Sequence, residues 1–261
     1  MFEPRVTVIA GGFGSGKTEI AVNGALVLVR QGQQVTLIDL DVVKPYFRCR
    51  SLHRTMAADG VPVLAPDGEC MYETVPVLPS GLPGLLQNRG EKLIVDLGGD
   101  PVGALVFGAV AHTIPDEDME LLVALNFARP QTEKVPDAVP MIRAIEAAAR
   151  VPVRGLIANT HLLGETTPSL VLRGLRLTEQ TAAVLSVQVA LAAVDERLIG
   201  SLPPGWADCP VLPLRRMVYP PYEAPKSRAI TPQAMLKTTF PVRPPLTPPL
   251  VAAGRPVRQG A

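Results

Sequence analysis

Short apolar runs alternate with longer segments of helical spacing along most of this sequence. Runs rich in β-branched residues predict strands at residues 5–10, 34–39, 92–96, 120–126, 152–159, 187–192 and 211–214. Apolar positions three and four residues apart predict helices at residues 17–30, 139–150 and 169–185. Because the strands are apolar along almost their whole length, helices should cover both faces of the sheet. The pattern therefore predicts an α/β fold, a doubly wound, mostly parallel sheet flanked by helices.

Two regions depart from this alternation. Residues 60–85 are rich in proline and glycine and predict a short strand followed by a long loop. Residues 220–261 contain ten prolines, a density that excludes helices and central strands. We therefore predict one domain at residues 1–219 and an extended or disordered proline-rich tail at residues 220–261. The tail is either passive or a docking segment.

The composition limits the partners and the cellular environment that we expect for this protein. Of its 261 residues 47% are apolar and 19% are charged, and the net charge of +1 gives no reason to expect nucleic acid or an anionic membrane as a partner. Three widely spaced cysteines favour a reduced, cytoplasmic setting over a disulfide framework. The start of the chain does not resemble a signal peptide, and the apolar runs are shorter than the roughly 20 residues of a membrane span.

The strand at residues 5–10 leads into the stretch GGFGSGKT, which matches the phosphate-binding pattern G-x-x-x-x-G-K-[ST]. Its glycines let backbone amides surround a phosphate, Lys17 can reach the β- and γ-phosphate oxygens, and the Thr18 hydroxyl can hold Mg²⁺. The helix that starts at Lys17 directs its positive end toward the phosphates. The predicted nucleotide-binding residues of this stretch are Gly11, Gly12, Gly14, Ser15, Gly16, Lys17, Thr18 and Glu19.

Carboxylates follow two further predicted strands. Asp39 and Asp41 lie at the end of the second strand, and Asp96 ends another strand and begins the sequence Asp96-x-x-Gly99. In a parallel sheet these positions face the crevice in which ligands bind. A carboxylate there can order a metal-bound water or position an attacking water. We predict Thr18, Asp39 and Asp96 as the metal site.

In this order of motifs the chain resembles the MinD/ParA/CobQ-type P-loop ATPases of the SIMIBI class, whose branch also holds the UreG and HypB metallochaperone GTPases. The resemblance covers about residues 4–215 and implies binding of ATP with Mg²⁺, frequent dimerisation and slow hydrolysis that switches a partner. It assigns catalytic roles to Lys17 and to Asp41, which would position water. Asn159 corresponds to the asparagine that reads the base, and Pro213 belongs to the strand whose following loop packs on adenine.

The chain departs from this family in two places. Gly12 stands where ParA-like members have a lysine that crosses to the partner subunit. Fast hydrolysis would then need another cation to stabilise phosphate charge, such as Arg48 or Arg50, and the alternative is slow hydrolysis in a binding switch. Leu162 stands where the GTPase branch has its guanine-reading aspartate, which favours ATP over GTP. Asn126 also ends a strand and is an alternative base or interface residue.

Three functions remain open from the sequence. The favoured one is a slow ATPase that acts as a switch on a protein partner of unknown identity, in enzyme assembly or maturation, and that can form a homodimer. The second is an ATP-dependent ligase or kinase of the cobyrinic acid diamide synthase or dethiobiotin synthetase kind. The third is a metallochaperone GTPase similar to UreG or HypB, which the sequence disfavours because it has no CxxC or CPC-type pair.

Overall fold

The computed structural model of the chain describes residues 1–41, 49–66, 78–99 and 101–219. The proline-rich tail predicted at residues 220–261 and the candidate cation Arg48 lie outside these residues, and the side chain of Arg50 is not described either. No helix of the described part is long and apolar enough to cross a bilayer.

Eight parallel strands form one sheet in the described residues. They are β1 (Val6–Ala10), β2 (Val35–Leu40), β3 (Val63–Leu64), β4 (Lys92–Leu97), β5 (Met119–Leu125), β6 (Val153–Ala158), β7 (Gln188–Asp195) and β8 (Val211–Leu214). Their order across the sheet is β3-β2-β4-β1-β5-β6-β7-β8. From β1 the chain moves to one side of the sheet for β2 and β3 and returns to form β4 between β2 and β1. It then crosses to the other side for β5 to β8. The loop after β1 therefore lies where the direction reverses, the usual ligand crevice of such sheets.

Helices cover both faces of this sheet, which confirms the predicted fold class. They are α1 (Lys17–Arg30), α2 (His53–Ala58), α3 (Leu82–Gln87), α4 (Pro101–Gly108), α5 (Val135–Ala149) and α6 (Pro168–Leu185). The boundaries of α1 agree with the prediction. Helix α5 starts four residues earlier than predicted, with one proline in its first turn and Pro140 inside it. The region at 60–85, predicted as a short strand and a loop, contains β3 and also the start of α3.

The apolar core lies in two layers, one on each face of the sheet. On one face Phe107 of α4 and Ile142 of α5 pack with Val8 of β1. On the other face Ile20 of α1 packs with Ile9, the next residue of β1. Every residue of β1 is buried, because successive side chains of a strand point to opposite faces and both faces are covered. The strand that leads into the glycine loop is thus held from both sides.

Candidate nucleotide-binding site

The predicted phosphate-binding loop, residues 11–18, joins β1 to α1. Gly16, directly before the helix, has a φ of 82°, a left-handed conformation that favours glycine. A Cβ atom at Gly16 would lie 2.2 Å from Nδ2 of Asn159, so the available space also requires glycine. The first helical hydrogen bond runs from the Ile20 amide to the Gly16 carbonyl at 3.0 Å. The amides of the first helical turn lack helical acceptors and can therefore bind an anion.

Lys17 lies in the first turn of α1 and reaches the end of β2. Its Nζ atom lies 3.1 Å from Oδ2 of Asp41, and the two side chains are 3% and 0% exposed. The backbone amide of Asp41 donates a hydrogen bond to Oδ1 of Asp39 at 3.1 Å. A buried ammonium is tolerated only when it is paired, and Asp41 supplies this pairing. The predicted phosphate-binding lysine is thus held beside the loop by a predicted catalytic residue.

Asp96 completes a group of three buried carboxylates with Asp39 and Asp41. Asp39 and Asp96 are direct neighbours in the β2–β4 register. The pKa of Asp96 is raised to about 8: burial is the main cause, Asp41 and Asp39 act in the same direction, and Lys17 and the Thr18 hydroxyl act against it. Without a further cation Asp96 is thus mostly protonated near pH 7, and a cation bound at this end of the sheet would favour its ionised form.

The residues at this edge fit a magnesium ion that is shared with phosphates. Neither carboxyl oxygen of Asp96 has a hydrogen-bond partner of ordinary geometry among the described residues, although both are buried. The described residues contain no group of three or more His, Cys, Asp or Glu side chains arranged to hold a metal on their own. Magnesium in nucleotide sites is bound through one or two carboxylates and completes its shell largely with phosphates and water. The arrangement therefore suits a nucleotide-bound ion better than a protein-only metal site.

The loop that follows Asp96 packs directly against the start of the phosphate-binding loop. A Cβ atom at Gly99 would lie 2.2 Å from the Gly11 carbonyl oxygen, so only glycine fits there. A Cβ atom at Gly98 would come within 3.6 Å of Oδ1 of Asp41. The Asp96-x-x-Gly99 motif predicted from the sequence is thus in contact with the phosphate-binding loop, so a conformational change of that loop would displace the motif.

Asn126 joins three loops with one buried side chain. Its Nδ2 donates to the carbonyl oxygens of Gly14 (2.9 Å) and His161 (3.1 Å). Its Oδ1 accepts from the amides of Ala128 (3.0 Å) and His161 (3.1 Å). The side chain is 1% exposed, and it is not free to read a base because both ends of its amide are already hydrogen-bonded. The structure therefore gives Asn126 a bracing role in place of the base or interface role considered from the sequence.

Two further side chains donate to carbonyls of the phosphate-binding loop. Nδ2 of Asn159 donates to the Ser15 carbonyl at 2.7 Å. Nε of Arg129 donates to the Gly14 carbonyl at 3.2 Å, which places a guanidinium beside the loop. Sequence reasoning missed Arg129, although it follows the noted Asn126 by three residues. A basic residue just beyond a strand end on the loop side of the sheet is the signal that could have indicated it.

His161 lies between these loops and stays neutral near pH 7. Its pKa is lowered to about 4: burial is the main cause, the neighbouring Arg129 acts in the same direction, and a hydrogen bond with the Gly14 backbone acts against both. A Cβ atom at Gly16 would lie 3.3 Å from Nε2 of His161, so the ring is close to the loop. The imidazole therefore adds no positive charge at the phosphate-binding loop near neutral pH.

An open pocket of about 410 Å³ lies next to the end of the loop. Its lining includes Gly16 and Glu19 of the loop and α1, Asn159 and His161 after β6, and Asp195 at the end of β7. The pocket is therefore continuous with the predicted phosphate site and is placed to hold the rest of a nucleotide.

The far wall of this pocket is formed just after the predicted position Pro213. That residue is exposed on β8 and is not part of the lining, whereas Leu214, Arg215 and Arg216 are. The loop that follows β8 thus faces the pocket, and Pro213 lies on the strand just before this loop.

A larger cavity of about 570 Å³ lies at the opposite edge of the sheet. Residues at the starts of β5, β7 and β8 line it, including Met119, Gln188 and Pro210. It contains no residue of the phosphate-binding loop. The site is therefore assigned to the smaller pocket, which Gly16 of the glycine loop and Glu19 of α1 line.

Similar solved structures support the fold. The chain is similar to the cell division protein FtsY from Thermotoga maritima, with 20% identity, coverage of 74% of this chain and 62% of that chain, and a TM-score of 0.54. FtsY from Mycoplasma mycoides is 13% identical, with the same coverage of 74% and 62% and a TM-score of 0.51. The signal recognition particle 54 kDa protein from Aeropyrum pernix K1, in complex with GDP, is 22% identical with coverage of 71% and 40% and a TM-score of 0.48.

These likenesses to FtsY show that the chain has the fold of a P-loop NTPase. The chain spans 62% of the length of each FtsY protein. No protein-family model matches the sequence, and no curated protein matches it. The narrower resemblance to MinD/ParA-type ATPases that lack the signature lysine stays a prediction from the sequence.

Proposed function

We propose that this chain is a P-loop nucleotide-binding protein of the SIMIBI class that acts as a nucleotide-dependent switch on a protein partner. The observation that supports this most is the convergence at the ends of β1, β2 and β4. The glycine loop and the start of α1 offer amides for phosphates, and Lys17 lies 3.1 Å from Asp41 beside them. Asp39 and Asp96 lie in register on neighbouring strands of the same edge.

Magnesium is the proposed cofactor, and Thr18, Asp39 and Asp96 are the residues that would hold it. The buried carboxyl oxygens of Asp96 and the excess of carboxylates over ammonium groups support this choice. When bound, the ion would neutralise charge on the β- and γ-phosphates. Lys17 would bind the same phosphates, while Asp41 would hold Lys17 in place and position a water.

We propose ATP as the nucleotide. Leu162 offers no carboxylate where a guanine-reading acid is expected. Asp195 lines the pocket, but its Oδ1 accepts hydrogen bonds from Nε of Arg197 at 2.9 Å and from the Arg197 amide at 3.0 Å. Guanine would have to displace Arg197 before this carboxylate could accept from its N1 and N2 hydrogens.

Slow hydrolysis is the proposed activity. The loop carries no lysine at Gly12, although a Cβ atom there would meet only Met141 at 4.0 Å and a side chain would fit. Arg129 is a cation that the structure does place beside the loop, with its Nε on the Gly14 carbonyl. Because this contact holds the guanidinium on the backbone, we expect it to brace the loop more than to stabilise charge on a departing phosphate.

A protein partner is proposed on the nucleotide side of the molecule. Large apolar side chains are exposed in three segments: Phe13 in the loop itself (68%), Leu105 in α4 (53%) and Leu163 after β6 (50%). Apolar residues on a surface mark a protein interface where they form a contiguous patch, so these three are the positions at which we propose a partner contact. The partner is either another protein or a second copy of this chain, and a role in enzyme assembly or maturation stays a prediction from the family resemblance.

Nucleotide titration with a hydrolysis assay tests this proposal. ATP, GTP, ADP and GDP are titrated with Mg²⁺ against the full chain, and phosphate release is followed without other substrates. We expect ATP to bind at least about tenfold more tightly than GTP, a difference of about 1.4 kcal/mol. Tighter binding of GTP would contradict the choice of base. Phosphate release that requires an added small carboxylate would favour the ligase alternative over the switch.

A further inference from the structure

The segment after β8 closes one side of the nucleotide pocket. We name residues 214–219 the closing segment. Leu214, Arg215, Arg216 and Tyr219 of this segment line the pocket, opposite Asn159 and His161. The guanidinium of Arg216 lies 4.5 Å from the centre of the Tyr219 ring. The closing segment is therefore the wall that a nucleoside would contact.

Beyond Leu214 the closing segment has no regular secondary structure, so its backbone groups need other partners. Two side chains of α1 provide them. The carboxylate of Glu19 accepts hydrogen bonds from the Met217 amide (3.0 Å) and the Val218 amide (2.8 Å). Asn23, one turn further along α1, pairs with Arg215 in both directions: its Nδ2 donates to the Arg215 carbonyl at 3.0 Å, and its Oδ1 accepts from the Arg215 amide at 3.0 Å.

The same helix binds the phosphates at its first turn and the closing segment at its next turns. We propose that Glu19 and Asn23 are positioning residues that hold the closing segment at the distance a nucleoside requires. The inference rests on the proposed function, because it assigns the nucleoside half of the same site. It goes beyond the sequence-based assignment of Glu19 as a nucleotide contact, since Glu19 acts through the backbone of Met217 and Val218.

Two kinds of contact hold the closing segment against α1. Asn23 is 6% exposed and uses both ends of its amide, so its position on α1 fixes Arg215 along the helix axis. Met217 packs its side chain into the apolar cluster that also contains Ile20 of α1. The Met217 side chain thus anchors the closing segment in the apolar core, and Glu19 and Asn23 fix the position of its backbone beside the pocket.

Comparison of a nucleotide with its phosphate part alone tests the inference. Binding of Mg²⁺ with ATP or GTP, whichever binds wild type more tightly, is compared with binding of Mg²⁺ with inorganic tripolyphosphate. We expect Glu19→Ala and Asn23→Ala to weaken nucleotide binding about tenfold, because each removes hydrogen bonds that hold the wall. Tripolyphosphate binding should stay within about twofold of wild type, because the loop and Lys17 are unchanged.

Glu120→Ala is the matched control. The carboxylate of Glu120 accepts a hydrogen bond from the Thr7 hydroxyl at 2.8 Å in the sheet, and burial raises its pKa, but it lines only the cavity at the opposite edge. It should leave the binding of both ligands unchanged. A thermal melt of each variant checks its folding, and either variant of α1 alone suffices if the other does not fold.

Three results would overturn the inference. Equal losses for nucleotide and tripolyphosphate would mean that Glu19 and Asn23 act through the loop. Unchanged nucleotide binding in both variants would mean that the wall contributes nothing. Wild type that binds neither ligand would overturn the proposed function as well, which separates that failure from the other two.

Discussion

At the scale of single residues, Asn126 is the clearest case of a side chain whose role the structure determines. Its one buried amide group makes four hydrogen bonds to three residues: one to Gly14, one to Ala128 and two to His161. The sequence indicated only that an asparagine ends a strand. Its partners lie up to 112 residues away in the chain, so no local spacing could reveal them.

Replacing Asn126 with alanine tests this bracing role. The variant should lose about 2–3 kcal/mol of unfolding free energy, because buried donors and acceptors would be left without partners. It should also bind nucleotide more weakly, because the Gly14 carbonyl loses its donor. Denaturant unfolding and nucleotide titration measure both effects. Asn88→Ala is the control, since the Asn88 side chain accepts one exposed hydrogen bond, from the Gly90 amide, and its loss should change stability only slightly.

His161 predicts a pH dependence of stability. Its pKa is about 4 in the folded protein and about 6.5 in an unfolded chain. Between these values the unfolded chain binds a proton that the folded protein does not, so stability should fall as the pH drops from 6.5 toward 4. The loss attributable to His161 is at most about 3 kcal/mol.

Unfolding free energies of wild type and His161→Asn at pH 5 and pH 7 measure this effect. Asparagine keeps an acceptor for the Leu163 amide but does not titrate in this range. The variant should show a smaller decrease in stability between the two pH values than wild type. Identical decreases in the two proteins would show that His161 does not contribute.

At the scale of elements, the junction of the loop and α1 combines backbone strain with close packing. Gly16 and Gly32, at the two ends of α1, both have a φ of 82°. A Cβ atom would clash with Asn159 at Gly16 but would meet nothing within 4 Å at Gly32. The two glycines therefore form a matched pair that separates the cost of conformation from the cost of crowding.

Alanine substitution at both positions makes this comparison. Gly32→Ala should cost about 1–2 kcal/mol, the usual penalty for a left-handed alanine. Gly16→Ala should cost more and should also lower nucleotide affinity, because Asn159 and the loop would have to move apart. Chemical denaturation and nucleotide titration of both variants give the answer, and equal stability losses at the two positions would contradict the crowding at Gly16.

The elements themselves were largely predictable. The apolar runs predicted seven of the eight described strands within three residues at each end, because buried parallel strands are short and apolar throughout. The predicted start of helix α5 lay too far along the sequence, because Pro136 and Pro140 interrupt the apolar pattern. The helix nonetheless contains both prolines. The short helices α2 and α3 have six residues each, too few for a clear period.

At the scale of the whole molecule, the order of strands explains why the motifs converge. The segments after β1, β2 and β4 were recognisable separately, and parallel strands bring their carboxyl ends to one edge. The sequence therefore predicted that Lys17, Asp41 and Asp96 would meet. It could not predict the Lys17–Asp41 ion pair or the closing segment, which depend on packing between distant segments.

The central claim is that the loop at residues 11–18 binds the phosphates of a nucleotide through Lys17. Calorimetric titration of ATP with Mg²⁺ into wild type and Lys17→Ala tests it most directly, with Lys134→Ala as the control because Lys134 is exposed just before α5. Wild type and Lys134→Ala should bind with the same affinity. Lys17→Ala should bind at least about tenfold more weakly, because charge-assisted hydrogen bonds to phosphate are lost. Equal binding by Lys17→Ala and wild type, or no binding by wild type to ATP or GTP, would contradict the claim.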